Sequence, residues 1–181
     1  MKNTWIDPEI PMELKEILIK NGSKKNIEKG VELVSEKNKS PFFILVEKGL
    51  LSVNINFGIF QSSMIIKFIP ENRGYGFTNY ITPSLNSHSV YALKDSVITT
   101  IPYSVINNLL KENSINKQCF ITYLYQCKKT SNKCLTSIYS YPVNKRLLNQ
   151  YSLFIESPLE TYNSYEEFTL LKEYANFTLN N

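Results

Sequence analysis

The hydrophobic pattern of this chain changes its period near Pro102, and that change constrains the fold more than any other feature of the sequence. Before it, short runs rich in Val, Ile, Phe and Tyr alternate with turn residues. These runs are Val31–Ser35, Phe42–Glu47, Leu50–Ile55, Ser63–Ile69, Ser89–Leu93 and Ser96–Ile101. Short β-branched and aromatic runs that are bounded by turns predict strands joined by hairpins. Such a series indicates an antiparallel sandwich or roll.

Beyond Pro102 the apolar residues recur at helical spacing. Val105, Leu109 and Leu110 predict a short helix. A longer helix follows from about Ile115 to Tyr139, and one stripe runs along it at three- and four-residue steps. The stripe consists of Phe120, Leu124, Cys127, Ser131, Cys134, Leu135 and Ile138. A stripe of that length needs an apolar partner, which is either the roll or a second copy of the helix.

Shorter helices are predicted at both ends of the chain. One runs from Pro11 to Lys20, and another lies around residues 144–155. A third begins at Ser164, which forms a capping box with Glu167. The predicted fold class is therefore α+β: an antiparallel β-roll of the jelly-roll type, a long helix and a helical C-terminal segment.

The composition is that of a folded chain with no membrane-spanning segment. Of the 181 residues 43% are hydrophobic, enough to offset the entropy of ordering the chain. The longest apolar runs, such as Phe42 to Val46, are far shorter than the roughly 20 residues of a membrane helix. Met1 to Pro11 lacks the apolar stretch of a secretory signal. We therefore expect a cytoplasmic protein without a membrane partner.

The sequence contains no pattern that predicts catalysis. It has no Gly-rich phosphate loop, no G-x-S-x-G elbow and no nucleophile with a suitably spaced histidine. His88 is the only histidine, so no pair of histidines is available for a metal ion. We expect no catalytic residue, no metal and no cofactor. The net charge of +4 permits nucleic-acid binding but does not indicate it.

Five segments carry a resemblance to a known family. They are the strand–turn–strand Phe42–Val53 with Gly49, the turn Gly74–Phe77, the strand and turn Ser89–Ser96, the stretch Val143–Leu148, and Glu166–Thr178. In this order they resemble the cyclic-nucleotide-receptor and fumarate-nitrate-reductase (CRP/FNR) superfamily of bacterial transcription regulators. The likeness spans nearly the whole chain.

The resemblance implies three parts and a mechanism. Residues 1–112 would form an effector-sensing β-roll of the cupin-like, cyclic-nucleotide-binding type, and residues 113–141 a dimerisation helix. Residues 142–181 would form an incomplete winged helix-turn-helix. A signal at the roll would then reorient the helices of a homodimer and change how it binds DNA.

The sequence departs from the family at the cyclic-nucleotide cassette. Where the family has a glutamate for the ribose and an arginine for the phosphate, this chain has Phe77 and Asn86 or its neighbour. A buried phosphate needs a compensating positive charge, so cyclic AMP or GMP is not expected. An iron–sulfur cluster is not expected either, because residues 1–118 contain no cysteine.

The effector is therefore unknown. The residues that the resemblance places at its site are Gly76, Phe77, His88, Ser89 and Tyr123. Two of them also have ordinary explanations: His88 as a partly exposed residue at a strand end, and Tyr123 as a core residue with a polar tip.

The long helix is the expected dimer interface, with Phe120, Leu124, Cys127, Ser131, Cys134 and Ile138 as its contact residues. Its cysteines have two interpretations. Cys127 or Cys134 could act as a thiol switch between two subunits. The more common role of such cysteines is that of small buried apolar residues.

The C-terminal segment gives a mixed indication of DNA binding. The candidate DNA contacts are Lys172, Thr178, Asn180 and Asn181. The segment from Glu156 onward is acidic, however, and the recognition helix would begin at Thr178 and contain only its first turn. Three hypotheses stay open: a DNA-binding regulator, a sensing and dimerisation module that does not bind DNA alone, and a thiol-based redox sensor.

Overall fold

The computed structural model describes residues 6–57, 62–81 and 83–140 of the chain. The elements, in chain order, are α1 Met12–Lys20, β1 Ser23–Ile27, β2 Glu32–Val34, β3 Phe42–Lys48, β4 Leu50–Phe57, β5 Ser62–Pro70, β6 Gly74–Tyr75, α2 Phe77–Ile81, β7 Ser89–Ala92, β8 Ser96–Pro102, α3 Tyr103–Glu112 and α4 Ser114–Ser140. Within these residues, no helix has the length and apolar character that crossing a membrane requires.

The strands form two four-stranded antiparallel sheets. One has the order β1-β8-β3-β6 and the other β2-β7-β4-β5. Between the sheets lies an apolar core of Val34, Ile44, Val46, Leu51, Val53, Ile69, Val90, Ala92 and Ile98. The predicted α+β class with an antiparallel β-roll is thereby confirmed.

The strand β3 is buried on both faces, which explains its uninterrupted apolar sequence. Successive side chains of a strand point to opposite faces, so Ile44 and Val46 enter the core between the sheets. Phe43 and Leu45 face the helices instead. Each of these four side chains is fully buried, and burying one stabilises the fold by about 1.5–3 kcal/mol.

A second core joins the helices to the sheet that contains β3. Its buried members are Ile10, Leu14, Leu18, Phe43, Leu45, Phe77, Ile101, Ile106, Phe120, Tyr123 and Cys127. The roll is therefore one partner of the apolar stripe on α4. The sequence left two partners open, and the structure shows that Phe120 and Cys127 pack within their own chain.

The tight turn between β3 and β4 depends on Gly49. Its φ is +98°, and a Cβ atom there would lie 2.8 Å from the carbonyl oxygen of Asp95 and from Cα of Ser96. Only glycine adopts this conformation at such a close approach without strain. This turn therefore carries the chain from the first sheet, through β3, directly into the second, through β4.

All six predicted strands are present, and their ends differ from the predicted ends by two residues or fewer. Three elements were not predicted: β1, β6 and α2. The first is polar and exposed, because it is an edge strand that is held by backbone pairing with β8. The other two have only two and five residues, which is too short for a hydrophobic period. The predicted C-terminal helices lie outside the described residues.

Candidate functional site

The turn from β6 into α2 places the first two candidate ligand residues. Gly76 has a φ of +108°, and a Cβ atom there would lie 2.9 Å from the carbonyl oxygen of Phe42. The hydroxyl of Tyr103 donates a hydrogen bond of 2.7 Å to the carbonyl oxygen of Gly76. This turn is therefore closely packed against β3 and α3.

The side chain of Phe77 is buried in the core between the roll and α4. Its ring centroid lies 4.3 Å from that of Phe43, 4.9 Å from that of Tyr123 and 5.6 Å from that of Phe120. Such tilted and edge-to-face pairs are favourable arrangements of aromatic rings. The ring of Phe77 therefore packs against both β3 of the roll and the long helix.

Tyr80 extends this aromatic cluster along α2. Its ring makes edge contacts with Tyr103 at 5.5 Å and with Phe120 at 5.4 Å. Its hydroxyl donates a hydrogen bond of 2.8 Å to Oδ1 of Asn107 on α3. The helix that follows the cassette turn is therefore attached to both α3 and α4.

Asn86 is buried, and its polar atoms are fully engaged. Its Nδ2 donates to the carbonyl oxygen of Ser35 at 3.0 Å and to Oγ of Ser40 at 2.9 Å. Its Oδ1 accepts a hydrogen bond from Asn79, and its backbone exchanges hydrogen bonds with Lys37 and Asn38. An amide in this setting ties loops together and supplies no positive charge for a phosphate.

His88 and Ser89 lie at the start of β7, away from the aromatic cluster. Ser89 is buried, and its Oγ accepts a hydrogen bond of 3.1 Å from the backbone N–H of Glu36. His88 is half-buried, with Nδ1 2.8 Å from Oγ of Ser87. Burial lowers the pKa of His88, although the carboxylate of Glu36 opposes that shift. Among the described residues, no group of three His, Cys, Asp or Glu side chains could hold a metal ion.

Tyr123 and Cys127 lie one helical turn apart on the face of α4 that packs on the roll. The Tyr123 hydroxyl makes no hydrogen bond of normal geometry, and its polar neighbours are the Cys127 thiol and the Gly74 backbone. Burial raises the pKa of the Tyr123 hydroxyl well above its ordinary value and that of the Cys127 thiol to about 12. At neutral pH Cys127 is therefore an unreactive thiol.

The structure adds a charged group beside these two residues. The carboxylate of Asp7 forms an ion pair with Lys67 on β5, and the Asp7 side chain is only 8% exposed. Burial raises the pKa of Asp7, while Lys67 and Arg73 oppose that shift. The sequence contained one indication of this pair, because Lys67 interrupts the apolar strand from Ile65 to Ile69. A lysine inside such a strand needs a partner.

The residues expected at a dimer interface differ in how deeply they are buried within the single chain. Phe120 and Cys127 are buried against their own roll, so these two positions have an apolar partner within the single chain. Leu124 is partly buried on the same core, and Ser131 is half-buried. The side chains of Cys134 and Ile138 lie outside the described residues, as do the expected DNA contacts Lys172, Thr178, Asn180 and Asn181.

The exposed side of α4 carries other large apolar residues. Ile115 is 70% exposed, Ile121 48% and Tyr125 67%. Ile121 and Tyr125 are one turn apart and therefore lie on the same side of the helix. Sequence periodicity missed this face because the stronger apolar stripe packs on the roll.

Two antiparallel sheets closed by a long helix, with a short helix inserted after the β6 turn, are the cyclic-nucleotide-binding type of β-roll. No protein-family model matches the chain, and a search of the curated proteins finds no relative. Solved structures do match, and the resemblance expected from the sequence is confirmed at the level of the fold.

The matching structures include bacterial regulators. CLP, a c-di-GMP-responsive global regulator of Xanthomonas campestris, has a TM-score of 0.73 and 10% identity, over 94% of this chain and 90% of that one. CprK in complex with OCPA has a TM-score of 0.63 and 14% identity, and the match covers 84% of this chain and 66% of CprK. The sensor domain of DNR from Pseudomonas aeruginosa has a TM-score of 0.54 and 11% identity, and the match covers 62% of this chain and 75% of that domain.

Proposed function

We propose that this chain is a CRP/FNR-like transcription regulator that acts as a homodimer, and that its roll does not bind a cyclic nucleotide. The position of Phe77 is the observation that carries the second part. Its ring is buried at the junction of the roll and α4. By the family resemblance, Phe77 stands at the position of the glutamate that would bind the ribose of a cyclic nucleotide. Asn86, the nearest counterpart of the phosphate arginine, is neutral and fully hydrogen-bonded.

A direct binding experiment tests this part of the proposal. The full chain is titrated with cyclic AMP, cyclic GMP and c-di-GMP in a calorimeter at a fixed, stated salt concentration. We expect no heat of binding up to millimolar nucleotide. Binding of any of the three at micromolar concentration would contradict the proposal. The same titration of Phe77→Ala would then show whether the nucleotide binds beside Phe77.

The dimer is proposed to use the exposed side of α4. Ile115, Ile121 and Tyr125 are large apolar side chains that contact water in the single chain, and a second copy of the helix would cover them. Light scattering of Ile121→Glu together with Tyr125→Glu should give the monomer mass. Glu13→Gln, on the exposed surface of α1, is the control and should leave the mass unchanged.

If the double variant keeps the mass of the unaltered chain, that helix side is not the interface. The remaining expected positions, Leu124, Ser131, Cys134 and Ile138, would then be changed one at a time. A monomeric unaltered chain would contradict the homodimer itself.

DNA binding distinguishes a regulator from a module that only senses and dimerises. Fluorescence anisotropy against DNA from upstream of the chain's own reading frame, at several salt concentrations, measures it. Salt-dependent binding with a sequence preference supports the regulator and rules out the module. No binding at micromolar protein supports the module, which would retain the roll and α4.

The buried thiol argues against the third hypothesis. With a pKa of about 12, Cys127 provides almost no thiolate at neutral pH. Cys119 is half-buried, so oxidation with diamide followed by non-reducing electrophoresis is still informative. A disulfide-linked dimer that Cys119→Ser abolishes would revive the redox hypothesis at that residue.

A further inference from the structure

The segment Ile6–Pro11 lies across the edge of the roll, beside α4, and we name it the strap. The backbone of Ile6 forms a parallel bridge with Phe68 on β5. The N–H of Ile10 donates a hydrogen bond of 2.8 Å to the carbonyl oxygen of Asn72. Ile10 is also buried in the same core as Tyr123 and Cys127. The strap is therefore bonded to the roll through its backbone and shares an apolar core with the long helix.

Asp7 is the charged centre of the strap. Its Oδ2 pairs with Nζ of Lys67, and its backbone oxygen accepts a hydrogen bond of 3.0 Å from Nε of Arg73. Its Oδ1 is buried without a hydrogen-bond partner. Glu9 of the strap meets Arg73 at 3.3 Å, but its side chain is 63% exposed. Among the described residues, the titratable groups that face Asp7 are Lys67, Arg73, Tyr123 and Cys127.

The two members of the ion pair are not equally buried. The side chain of Lys67 is 25% exposed and that of Asp7 is 8% exposed. Lysine can extend its long stem and bring its ammonium group to water, whereas the short aspartate cannot. A carboxylate that loses its partner in such a place must take up a proton or leave the site.

We propose that the strap is a latch on α4, and that it stays closed at neutral pH because Lys67 neutralises the buried carboxylate of Asp7. Loss of the Lys67 charge opens the strap and exposes the face of α4 that carries Tyr123 and Cys127. The device rests on these contacts alone, so it does not depend on DNA binding or on the absence of a nucleotide.

The latch predicts an asymmetry between two single variants. Lys67→Met leaves a buried carboxylate without its partner, so the strap should open at pH 8. Asp7→Asn removes the carboxylate and leaves a lysine that can reach solvent, so the strap should stay closed. Because protonation also removes the charge of Asp7, the strap of Lys67→Met should close again at pH 5.

Alkylation of Cys127 measures the opening, because this thiol is buried when α4 is in place. The labelling rate is followed by mass spectrometry of the Cys127 peptide and divided by the rate in the urea-unfolded chain at the same pH. That ratio removes the intrinsic pH dependence of the thiol. In Lys67→Met at pH 8 it should rise on the order of 10- to 100-fold, which is less than breaking a fully buried ion pair gives, because the Lys67 side chain is 25% exposed.

Three controls make the result specific. Lys24→Met breaks the exposed pair of Lys24 and Glu47 and should leave Cys127 protected. Asp7→Asn combined with Lys67→Met should restore protection at both pH values. Hydrogen exchange at Phe43–Val46, in the centre of the roll, should be the same in all variants, because the opening is local.

Other outcomes overturn the proposal. Equal Cys127 labelling in Lys67→Met and Asp7→Asn would mean that the charge of Asp7 does not hold the strap. A rise that is matched by faster exchange at Phe43–Val46 would mean global unfolding. If Lys67→Met does not fold, Asp7→Asn alone decides, since a loss of Cys127 protection in that variant contradicts the latch.

Discussion

Two regions join the roll to α4, and they do so by opposite chemistry. The cassette seam, made by Phe43, Phe77, Phe120 and Tyr123, is a set of aromatic rings that contact one another at 4.3–5.6 Å. The strap seam, made by Asp7 and Lys67 beside Cys127, is a partly buried ion pair. Apolar burial stabilises a contact at any pH, whereas a buried pair depends on the charge of both partners.

The comparison shows where this roll can respond to conditions. The cassette seam has no charged member, because the uncharged ring of Phe77 packs on Tyr123 of α4. The contact that depends on charge, the ion pair of Asp7 and Lys67, lies at the strap.

The largest effect should come from Phe77→Ala, which removes the ring at the centre of the cassette seam. Deleting a buried phenyl ring leaves a cavity and costs about 3–5 kcal/mol of unfolding free energy. Urea unfolding followed by circular dichroism measures the loss. Phe77→Leu keeps part of the volume and should cost clearly less. A loss below about 1 kcal/mol for Phe77→Ala is what an exposed side chain gives, and it would contradict the buried aromatic cluster.

A smaller effect is expected from Gly76→Ala, at the turn that carries Phe77. The φ of +108° is unfavourable for alanine, and its Cβ would lie 2.9 Å from the carbonyl oxygen of Phe42. Together these should cost about 1–3 kcal/mol in the same unfolding measurement.

Gly30→Ala is the matched control for that change. Gly30 has a φ of +88°, but no atom lies within 4 Å of its Cβ position, so it reports the backbone strain alone. The difference between the two variants isolates the close packing of the cassette turn. Equal losses would mean that the contact with Phe42 adds nothing.

The fold could be predicted from the sequence where buried apolar residues recur at a regular spacing. The six predicted strands and α4 follow from apolar residues at two-residue or three- and four-residue spacing. β1 could not be predicted in this way, because Ser23–Ile27 is an exposed edge strand that is held by its backbone. Propensity has no information about a partner strand 70 residues further along the chain.

The candidate site could be predicted only in part. The sequence shows that Phe77 cannot supply a carboxylate, but the direction of its ring depends on where α4 lies. Likewise, Asp7 and Lys67 are separated by 60 positions, and only the folded chain brings them together. The apolar stripe of α4 left two partners possible, because an apolar helix face indicates that it is buried but does not identify the surface that buries it.

The smallest effect should be a difference in pH dependence between two carboxylates, and it tests whether the strap seam is the unusual one. Burial raises the pKa of Asp7 above its ordinary value of 3.8 despite Lys67 and Arg73. Its proton is therefore held more tightly in the folded chain, so its contribution to stability is present at low pH. That contribution is lost as the pH rises from the unfolded value through the folded one.

Glu47 should show the opposite sign. Its partial burial raises the pKa, but the hydrogen bonds from Lys24 and Thr99 outweigh that and lower it below its ordinary value of 4.5. Its contribution is present above pH 4.5 and is lost as the pH falls through the folded pKa.

Urea unfolding of Asp7→Asn and Glu47→Gln from pH 3 to pH 8 compares the two carboxylates directly. Relative to the unaltered chain, Asp7→Asn should gain stability as the pH rises and Glu47→Gln should gain it as the pH falls. Each difference should level off at the pH above which its carboxylate is ionised in both the folded and the unfolded chain. Parallel pH profiles would mean that Lys67 fully compensates the burial of Asp7, and the strap seam would then be no more conditional than an exposed ion pair.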